Sequence, residues 1–386
     1  MRDVVIIDGV RTPIGNFVGG LKDVSAKDLA KVVMKEVISR SKIDINEIDE
    51  IVAGNSAQPT NSPNIGRTAA LELGFPETIP GYVVNRNCAS GLQAIVNAYQ
   101  SIRLDDTDVN LVVGTENMSQ MPHVLRGLRD GLRMGDAPLI DSLTEMLRDP
   151  NIGLLMGQTA EIVAKEVGIT REEQDAFALD SHRRAITAQR EQFFEREIVP
   201  VQKIDRRGNV TEVSADEGPM ETLDLETLSN MRPVFEKDGT VTSGNACGTN
   251  DAAASVLMMS AEKANKLGLA PRARIVSYAF VGIEPERMGL GPVYAVERVL
   301  EKTGLTKEDI DLFELNEAFA AQAVACMRML QLDPEKVNPH GGAIALGHPV
   351  GATGVRLVLT LLNGLEKING RYGVATLCIG GGMGGA

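Results

Sequence analysis

The stretch that decides the fold is Val83-Val84-Asn85-Arg86-Asn87-Cys88-Ala89-Ser90-Gly91-Leu92. Its apolar start, its single cysteine and the helical spacing that continues to Tyr99 predict a strand, a tight turn and a helix, with Cys88 at the helix start. Unpaired N–H groups at a helix N-terminus stabilise a thiolate, so we expect a lowered pKa for Cys88. The small residues at 89–91 are expected to leave room for a substrate. The alternative is a buried structural cysteine.

Bulk composition bounds the class of protein. The chain has 386 residues, of which 43% are hydrophobic and 24% are charged. This length predicts two or three domains, and the composition is that of an ordinary globular protein. With 39 basic and 52 acidic residues, the formal net charge is −13. That charge disfavours nucleic acids and anionic membranes as partners, because both repel a negatively charged surface.

The cysteines and the N-terminus indicate the compartment. The four cysteines are far apart and form no Cys-x-x-Cys pair: Cys88, Cys247, Cys326 and Cys378. We therefore expect neither a disulfide framework nor a metal site, and a reducing compartment fits. The apolar run at residues 4–7 is too short for a signal peptide, and no stretch is long enough to span a bilayer. The expectation is a cytoplasmic protein.

Strands alternate with helices along the first third of the chain. Strands are predicted at residues 4–7 and 108–116, and an amphipathic helix capped by Ser25 at residues 25–39. This alternation predicts an α/β fold with a mostly parallel sheet.

From residue 119 to about residue 249 the sequence changes to scattered methionines, prolines and charges. We interpret this segment as an insertion that covers the site, with a long helix over residues 170–195 and a hairpin turn at residues 206–209. Five methionines in or beside it either pack a core or line a channel for an apolar acyl or pantetheine chain: Met118, Met121, Met134, Met146 and Met156.

The last third of the chain repeats the first at a nearly constant offset. Residues 48–49 match residues 310–311 at an offset of 262. Ala89-Ser90-Gly91-Leu92 matches Ala352-Thr353-Gly354-Val355, and residues 111–115 match residues 374–378, both at an offset of 263. Three matches in register predict a duplicated α/β unit. The active site is then expected where the two halves meet, at the ends of strands and helices.

Three loops of the second half carry candidate catalytic groups. Asn316 follows a predicted strand, and its amide could either donate to a developing oxyanion or cap the next helix. His348 lies in the glycine-rich loop at residues 338–354, where a neutral imidazole could take the proton of Cys88. After Cys378, successive backbone N–H groups could form an oxyanion hole, while the thiol itself could move a second proton.

These groups suit one kind of chemistry. A nucleophilic thiol, an imidazole base and oxyanion donors suit acyl transfer through a thioester. A further acid or base suits removal of a proton next to a thioester carbonyl, which creates a carbon nucleophile. Together they indicate a Claisen condensation or its reverse, thiolysis. The remaining histidines and cysteine are expected to have no catalytic role: His123 and His182 at the surface, and Cys326 in the core.

Four motifs together resemble the thiolase family over essentially the whole chain: Asn-x-x-Cys-x-Ser-Gly at 85–91, Asn-Glu-Ala-Phe-Ala at 316–320, Gly-Gly-Ala-Ile-Ala-x-Gly-His-Pro-x-Gly at 341–351 and Cys-x-Gly-Gly from 378. The resemblance implies a duplicated α/β core, layered α-β-α-β-α, with an inserted loop domain. It implies an N-terminal core of residues 1–118 plus 250–270, a coenzyme A-binding loop domain of residues 119–249 and a C-terminal core of residues 271–386. It also implies a homo-oligomer, either a dimer or a dimer of dimers.

The resemblance further implies a role for each site residue. Cys88 carries the acyl group, His348 is its base, and Cys378 is the acid and base at the acetyl carbon. Asn316, with a water molecule and His348, forms one oxyanion hole, and the N–H groups of Cys88 and Gly380 form the other. Contacts with coenzyme A, a substrate and product rather than a cofactor, carry over to eight residues: Met156, Phe235, Ser243, Gly244, Cys247, Met288, Ala318 and Phe319.

Three positions depart from the family pattern. Cys247 stands where relatives usually have a serine that hydrogen-bonds pantetheine, and a thiol is a weaker donor. Met220 lies near the position of an arginine that contacts the nucleotide phosphates. His340 replaces a frequent asparagine. It either packs the loop, which we favour, or resembles the second histidine of ketoacyl synthases.

The expected reaction is acetyl-CoA C-acetyl transfer, in which two molecules of acetyl-CoA exchange with acetoacetyl-CoA and free coenzyme A. The alternative within the family is a thiolase for longer 3-ketoacyl chains. Two further alternatives are a ketoacyl synthase and a catalytically silent acyl-CoA-binding protein on the same fold.

Overall fold

The computed structural model describes residues 2–204 and 208–386. Its strands, in chain order, are β1 (Val4–Arg11), β2 (Gly15–Asn16), β3 (Glu50–Gly54), β4 (Gly81–Val84), β5 (Val109–Asn117), β6 (His123–Val124), β7 (Ile140–Asp141), β8 (Val201–Ile204), β9 (Val210–Val213), β10 (Asn250–Ser260), β11 (Ala273–Arg274), β12 (Phe280–Gly282), β13 (Leu312–Leu315), β14 (Gly373–Ile379) and β15 (Met383–Gly385). Its α-helices are α1 (Ala26–Ser41), α2 (Ile65–Glu72), α3 (Ser90–Arg103), α4 (Ser142–Met146), α5 (Met156–Val167), α6 (Arg171–Arg190), α7 (Leu225–Ser229), α8 (Ala261–Leu267), α9 (Gly291–Thr303), α10 (Ala320–Leu330), α11 (Ala343–Leu346) and α12 (Val350–Ile368).

The main strands form two mixed sheets rather than mostly parallel ones. The first sheet has the order β11-β1-β10-β5-β3-β4, with β2 on β10, and the second has the order β12-β15-β14-β13. Strand β3 runs parallel to β4 and β5, and β13 runs parallel to β14. Strand β10 runs antiparallel to both β1 and β5. The chain returns from the insertion at Asn250, beside the end of β5, so β10 runs back along β5. The expectation of a mostly parallel sheet is therefore wrong.

The helices and sheets stack as five layers. Helix α1 covers the outer face of the first sheet, where Leu29 and Val33 join a cluster with strand residues such as Leu111. Helices α3 and α12 lie between the two sheets and share apolar clusters with both. Helices α9 and α10 cover the far face of the second sheet. This confirms the duplicated α/β core layered α-β-α-β-α.

The middle layer depends on small residues where α3 meets α12. A Cβ on Gly91 would lie 2.7 Å from the backbone O of Gly351. A Cβ on Gly354 would collide with the backbone N of Leu92. Gly91 therefore makes room for α12, and the expectation that residues 89–91 leave room for a substrate stays a prediction. Both copies of the repeated motif supply glycine to this contact.

The insertion largely follows its sequence signals. The long helix predicted over residues 170–195 is α6, and Thr170 caps it by accepting a hydrogen bond from the Glu173 N–H. Ser25 caps α1 in the same way, as predicted. Strands β8 and β9 pair antiparallel, whereas Arg206 and Arg207 of the predicted hairpin turn lie outside the described residues. The proposed domain boundaries stay a prediction; β11 still pairs with β1, so the first sheet extends beyond residue 270.

A buried ionic cluster ties the insertion to the core. The Arg11 guanidinium in β1 contacts Glu197 (Nε to Oε1, 2.6 Å) and Asp216 (Nη1 to Oδ1, 2.6 Å), both from the insertion. Glu197 also accepts a hydrogen bond of 2.7 Å from Asn363 Nδ2 in α12. All three charged groups are buried. Because each charge has partners, the cluster fixes where the insertion meets α12.

The glycine contact gives a first prediction. Gly354→Ala places a methyl group against backbone atoms of α3, which cannot move aside as a side chain could. We expect a loss of about 3 kcal/mol in the free energy of unfolding, measured by urea denaturation. Gly364→Ala in the same helix is the control, because its Cβ would meet side chains and not backbone: Leu312 Cδ1 at 2.9 Å and His340 Cε1 at 3.5 Å. Equal stability of the two variants would contradict the close-contact explanation.

Candidate active site

Cys88 lies in the turn between β4 and α3, two residues before the helix begins, as the sequence predicts. Asn87 adopts a left-handed conformation (φ 47°), which tightens the turn. Its Nδ2 donates to the backbone O of Gly380 over 2.8 Å, so the nucleophile loop is bound directly to the last loop of the chain. The backbone N–H groups of Gly380 and of Cys88 itself both point at the Cys88 sulfur. These are the two donors expected for one oxyanion hole.

The pKa of Cys88 is raised, not lowered. Burial is the largest cause, and the nearby charge of Glu116 adds to it. The two N–H groups at the sulfur lower the pKa, but burial outweighs them. The expectation of a lowered pKa for Cys88 is therefore wrong, because it counted the helix end but not the loss of solvent. The thiol stays neutral until a nearby base takes its proton.

His348 is buried two residues before α12, held by its backbone. Its N–H donates to Asn250 Oδ1 over 2.9 Å, and its ring Nδ1 lies 2.7 Å from Thr353 Oγ1. The Thr353 hydroxyl donates to the backbone O of Pro349 (2.9 Å), so we assign the ring proton to Nδ1, which leaves Nε2 with a lone pair. Burial, followed by the charge of Arg356, lowers the pKa of His348 to about 3. The imidazole is therefore neutral near pH 7 and able to accept a proton.

Asn316 is an oxyanion-hole candidate rather than a helix cap. Helix α10 begins only at Ala320, and its N-cap position is Phe319. Asn316 is buried after β13, and its Nδ2 lies 3.5 Å from His348 Nε2. Its Oδ1 has no hydrogen-bond partner among the described residues. The amide hydrogens and the imidazole nitrogen thus face the same small space, where a substrate oxygen or a water molecule can bind.

Cys378 lies near the end of β14, and the glycines after it turn the chain back into β15. Gly381 and Gly382 have positive φ values of 88° and 74°, and a Cβ on Gly382 would collide with the backbone O of Ile283. The turn keeps the Gly380 N–H on the Cys88 sulfur. Burial and then the charge of Cys88 raise the pKa of Cys378 well above its ordinary value. The two thiols therefore lie close enough to influence each other electrostatically.

Six of the eight residues expected at coenzyme A share one apolar cluster with Cys378: Met156, Phe235, Cys247, Met288, Ala318 and Phe319. The rings of Phe235 and Phe319 meet edge to face, 6.2 Å apart. Cys247 is bound through its backbone N–H to the O of Ala318, over 3.0 Å. Burial and the charge of Cys88 raise the pKa of Cys247 to about 12, so a third thiol lies in the site.

The remaining two coenzyme A candidates lie on the segment that leads to Cys247. Ser243 is exposed, and its hydroxyl lies 3.9 Å from Met231 Sδ. Gly244 is buried against the same methionine. Met220 is partly exposed, and its N–H donates to the ring Nδ1 of His182 over 3.2 Å. His182 is buried, so its expected place at the surface is wrong; its polar neighbours Asp180 and Arg183 are exposed, but His182 itself lies on the buried face of α6.

The methionines divide between the two expected roles. Met121 and Met146 pack with Cys88 against a cluster of Met118, Leu143 and Val350. Met156 approaches the Gly380 loop, where a Cβ on Gly380 would lie 3.3 Å from its sulfur. Met134 is almost fully exposed and belongs to neither group. The nucleophile therefore has an apolar wall beside it, which suits an acyl group.

His340 is a packing residue in this structure, as we favoured. Its ring stacks on Phe193 at a centroid distance of 3.5 Å and an interplanar angle of 5°. Its Nδ1 is buried without a hydrogen-bond partner among the described residues. Cys326 is likewise buried in the core of α10, as expected. His123 is exposed, also as expected.

Sequence reasoning missed the groups that hold the catalytic residues in place. Thr353 orients the imidazole, and Asn250 holds its backbone. Glu317 accepts hydrogen bonds from Ser181 Oγ (2.7 Å) and Asn338 Nδ2 (2.8 Å), which binds the glycine-rich loop to α6. Glu317 follows Asn316 in the motif, and an acidic residue among apolar neighbours could have indicated a buried, hydrogen-bonded carboxylate. The partners lie far away in the sequence, so their pairing carried no signal.

The arrangement defines a class of protein. An α/β enzyme presents a nucleophilic thiol, a neutral imidazole, a second thiol and two sets of oxyanion donors in one mostly buried site. In the described part of the chain, no group of three or more His, Cys, Asp or Glu side chains could hold a metal ion.

Comparison with known proteins gives the family. Residues 4–262 match the N-terminal thiolase domain, and residues 269–386 match the C-terminal thiolase domain. The chain belongs to the thiolase family. It is 47% identical to beta-ketothiolase BktB of Cupriavidus necator over 385 residues, covering 99% of this chain and 98% of the relative. It is 45% identical to the acetyl-CoA acetyltransferase of the same organism, covering 100% and 98%.

Solved structures show the same likeness in three dimensions. The acetyl-CoA acetyltransferase of Bacillus anthracis matches with a TM-score of 0.98 and 44% identity, covering 100% of this chain and 98% of that one. Human mitochondrial 3-ketoacyl-CoA thiolase matches with a TM-score of 0.96 and 40% identity, covering 100% and 97%. The fold expected from the motifs is confirmed.

The stacked histidine gives a second prediction. Burial lowers the pKa of His340 to about 4, with a further lowering by Lys367 that Glu191 opposes. An unfolded histidine titrates near pH 6.5, so the unfolded chain binds the extra proton first, and stability is lost as the pH falls from about 6.5 towards 4. His340→Phe keeps the stacking and removes the titration. We expect it to lose about 2 kcal/mol less stability than wild type between pH 7 and pH 4.5, measured by urea denaturation.

His123→Gln, at an exposed position, is the control and should follow the wild-type pH profile. Unchanged turnover in His340→Phe would also separate this residue from the proton-transfer groups. A pH profile of His340→Phe identical to that of wild type would refute the buried neutral state.

Proposed function

We propose that the protein is an acetyl-CoA C-acetyltransferase that interconverts two acetyl-CoA with acetoacetyl-CoA and coenzyme A. The observation that supports the proposal is that Cys88 lies beside a second thiol, Cys378, and packs against Val350, two residues after His348. A hydrolase or a simple acyl carrier needs at most one thiol. A second buried thiol next to the first can serve as the base that proton removal from an acetyl group requires.

In the first half-reaction, His348 Nε2 takes the proton of Cys88 as its sulfur attacks the thioester carbonyl. Negative charge moves to the carbonyl oxygen, where the N–H groups of Cys88 and Gly380 stabilise it. The carbonyl re-forms, the coenzyme A thiolate leaves, and it takes the proton from the imidazolium. The acetyl group is now a thioester on Cys88. Because the site is largely buried, each of these dipoles acts at a low effective dielectric.

In the second half-reaction, Cys378 gives its proton to His348 Nε2, and the resulting thiolate removes a proton from the methyl group of a second acetyl-CoA. The enolate oxygen accepts hydrogen bonds from Asn316 Nδ2 and from the Nε2–H of the imidazolium. The enolate carbon attacks the acetyl carbon on Cys88, the C–C bond forms, and the Cys88 thiolate leaves and takes the proton from the imidazolium. Thiolysis is the same path in reverse. The pKa of Cys378 is raised, so substrate binding has to supply dipoles that stabilise its thiolate.

Coenzyme A fits the cluster that joins the insertion to the second sheet. The edge-to-face rings of Phe235 and Phe319 and the two methionines Met156 and Met288 give an apolar surface for the pantetheine arm. Cys247 offers a thiol where a hydroxyl would donate more strongly, so the pantetheine contact at this position is weaker.

Longer 3-ketoacyl-CoA substrates are the second candidate. The observation that favours them is the likeness to both beta-ketothiolase BktB and human 3-ketoacyl-CoA thiolase. The apolar wall of Met118, Met121 and Met146 beside Cys88 would meet the extra carbons. Turnover of 3-ketohexanoyl-CoA as fast as acetoacetyl-CoA would assign the protein to this candidate.

We also propose a cytoplasmic homo-oligomer, a dimer or a dimer of dimers. All four cysteines are free thiols, which fits a reducing compartment. In the part of the chain that the structure describes, no helix is both long and apolar enough to cross a membrane. Strand β4 forms an edge of the first sheet, and its four residues are only partly buried. An edge of this kind is a natural place for a second copy to pair.

The test of the proposed reaction is acetoacetyl-CoA thiolysis by wild type, Cys88→Ala and Cys378→Ala. Wild type should be active, and each variant should lose at least about a thousandfold in kcat, because each removes an indispensable covalent or proton-transfer step. Cys326→Ala, which removes a core thiol of α10 that no proposed step uses, is the control and should keep wild-type kcat.

Two outcomes would contradict the proposal. Full activity of Cys378→Ala would favour a ketoacyl synthase, which needs no thiol there. An inert wild type whose Cys88 cannot be acylated would favour a silent acyl-CoA-binding protein.

A further inference from the structure

Glu116, at the end of β5, is a buried carboxylate with an unusual set of partners. Its Oε1 accepts hydrogen bonds from Asn55 Nδ2 (2.7 Å) and the backbone N–H of Ala57 (3.1 Å). Its Oε2 accepts from the backbone N–H groups of Ser56 (3.0 Å) and Gly351 (3.0 Å). All four contacts are donated to the carboxylate, and none is an ion pair. A carboxylate that accepts hydrogen bonds from several segments holds those segments together and does not neutralise a neighbouring cation.

One arm of this set of contacts leads to the nucleophile. Ser56 Oγ donates to the backbone O of Asn87 over 2.7 Å, and Asn85 Nδ2 donates to the backbone O of Ser56 over 3.0 Å. Asn87 is the residue before Cys88, and its side chain binds Gly380. Ser56 Oγ also lies 3.1 Å from Ser90 Oγ, so the segment that Glu116 holds contacts residues before and after Cys88.

The other arm leads to the base. Gly351 lies in the first turn of α12, three residues after His348. Its position is already constrained, because a Cβ there would crowd the backbone O of Thr115 and lie 3.0 Å from Glu116 Oε2. Glu116 thus fixes the start of α12 at the same time as it fixes the loop beneath Cys88.

We propose that Glu116 is a positioning residue that sets the Cys88 loop and the His348 loop in the relative placement that proton transfer needs. The inference deepens the proposed function and rests on it. The second half of the repeat has no counterpart of Glu116, because the residue at the matching offset of 263 is Ile379. The contact is made once, at the centre, and it joins the two halves.

Contacts and charge have separable effects at this position. Glutamine has the same shape, but its NH2 group cannot accept hydrogen bonds, so two of the four N–H donors lose their acceptor in the buried site. Aspartate keeps the charge but is one methylene shorter, so it cannot reach both arms together. The negative charge of Glu116 raises the pKa of Cys88, and only glutamine removes that influence.

The experiment compares wild type, Glu116→Gln and Glu116→Asp. It measures kcat and KM for acetoacetyl-CoA thiolysis, and the pH dependence of Cys88 alkylation by iodoacetamide, read by mass spectrometry. A misplacement on the order of 1 Å costs about a hundredfold in rate. We expect kcat to fall by about 10- to 100-fold in both variants, with KM within about threefold of wild type. The alkylation midpoint should shift to lower pH in Glu116→Gln and stay nearer wild type in Glu116→Asp.

Glu197→Gln is the matched control, because it also removes a buried carboxylate but lies in the ionic cluster with Arg11. It should lower the melting temperature and leave kcat within about twofold of wild type. The proposal is overturned if Glu116→Gln keeps kcat within twofold, or raises KM at unchanged kcat. If Glu116→Gln does not fold, Asn55→Ser removes only one donor and should lower kcat several-fold at wild-type KM; unchanged kcat would overturn the proposal equally.

Failure of the proposed reaction gives a different result. An inert wild type refutes the proposed acetyltransferase activity. The alkylation profiles of the three proteins still report whether Glu116 controls the pH at which the Cys88 thiol ionises.

Discussion

The close contact between α3 and α12 sets the positions of both halves of the core. The two helices lie side by side in the middle layer, and glycine on each helix lets their backbones approach. Each catalytic residue of the first step stands two residues before a helix, Cys88 before α3 and His348 before α12. Packing the helices therefore brings nucleophile and base to the same edge of the core. The duplication places two equivalent helix starts side by side. The first copy carries the nucleophile there, and the second carries the base.

Burial sets the electrostatics of the site. Loss of solvent raises the pKa of the Cys88 and Cys378 thiols and lowers that of the His348 imidazole, so all three groups are neutral at rest. Charge develops only during reaction, on oxygens that face the N–H groups of Cys88 and Gly380 or the amide of Asn316. Preorganised donors at those places stabilise the transition state more than the ground state, which is the condition for catalysis.

The sequence predicted the local parts of this site well. The strand, turn and helix around Cys88, the helix cap of Ser25 and the loop position of His348 all depend on residues adjacent in the chain. The duplicated core could be predicted from spacing alone, because both copies keep small residues at matching positions and these positions recur at a constant offset. The oxyanion role of Asn316 was left open against a cap, and the late start of α10 decides against the cap.

The errors concern what lies far away in the sequence. The direction of β10 depends on where the insertion returns to the sheet, which no local pattern contains. The burial of His182 depends on the segment around Met220 that contacts it. The raised pKa of Cys88 depends on burial and on the charge of Glu116 from β5. Glu116 was visible as an acidic residue at the end of an apolar strand, but its four partners became known only from the fold.

Cys88 alone should carry the acyl group. Peptide mass spectrometry tests this on the protein incubated with acetyl-CoA and quenched in acid, which preserves thioesters. We expect an acetyl group on the peptide that contains Cys88, and none on the peptides that contain Cys247, Cys326 or Cys378. Acetylation of Cys247 or Cys378 in place of Cys88, or no acetylated cysteine at all in an enzyme that turns over, would contradict it.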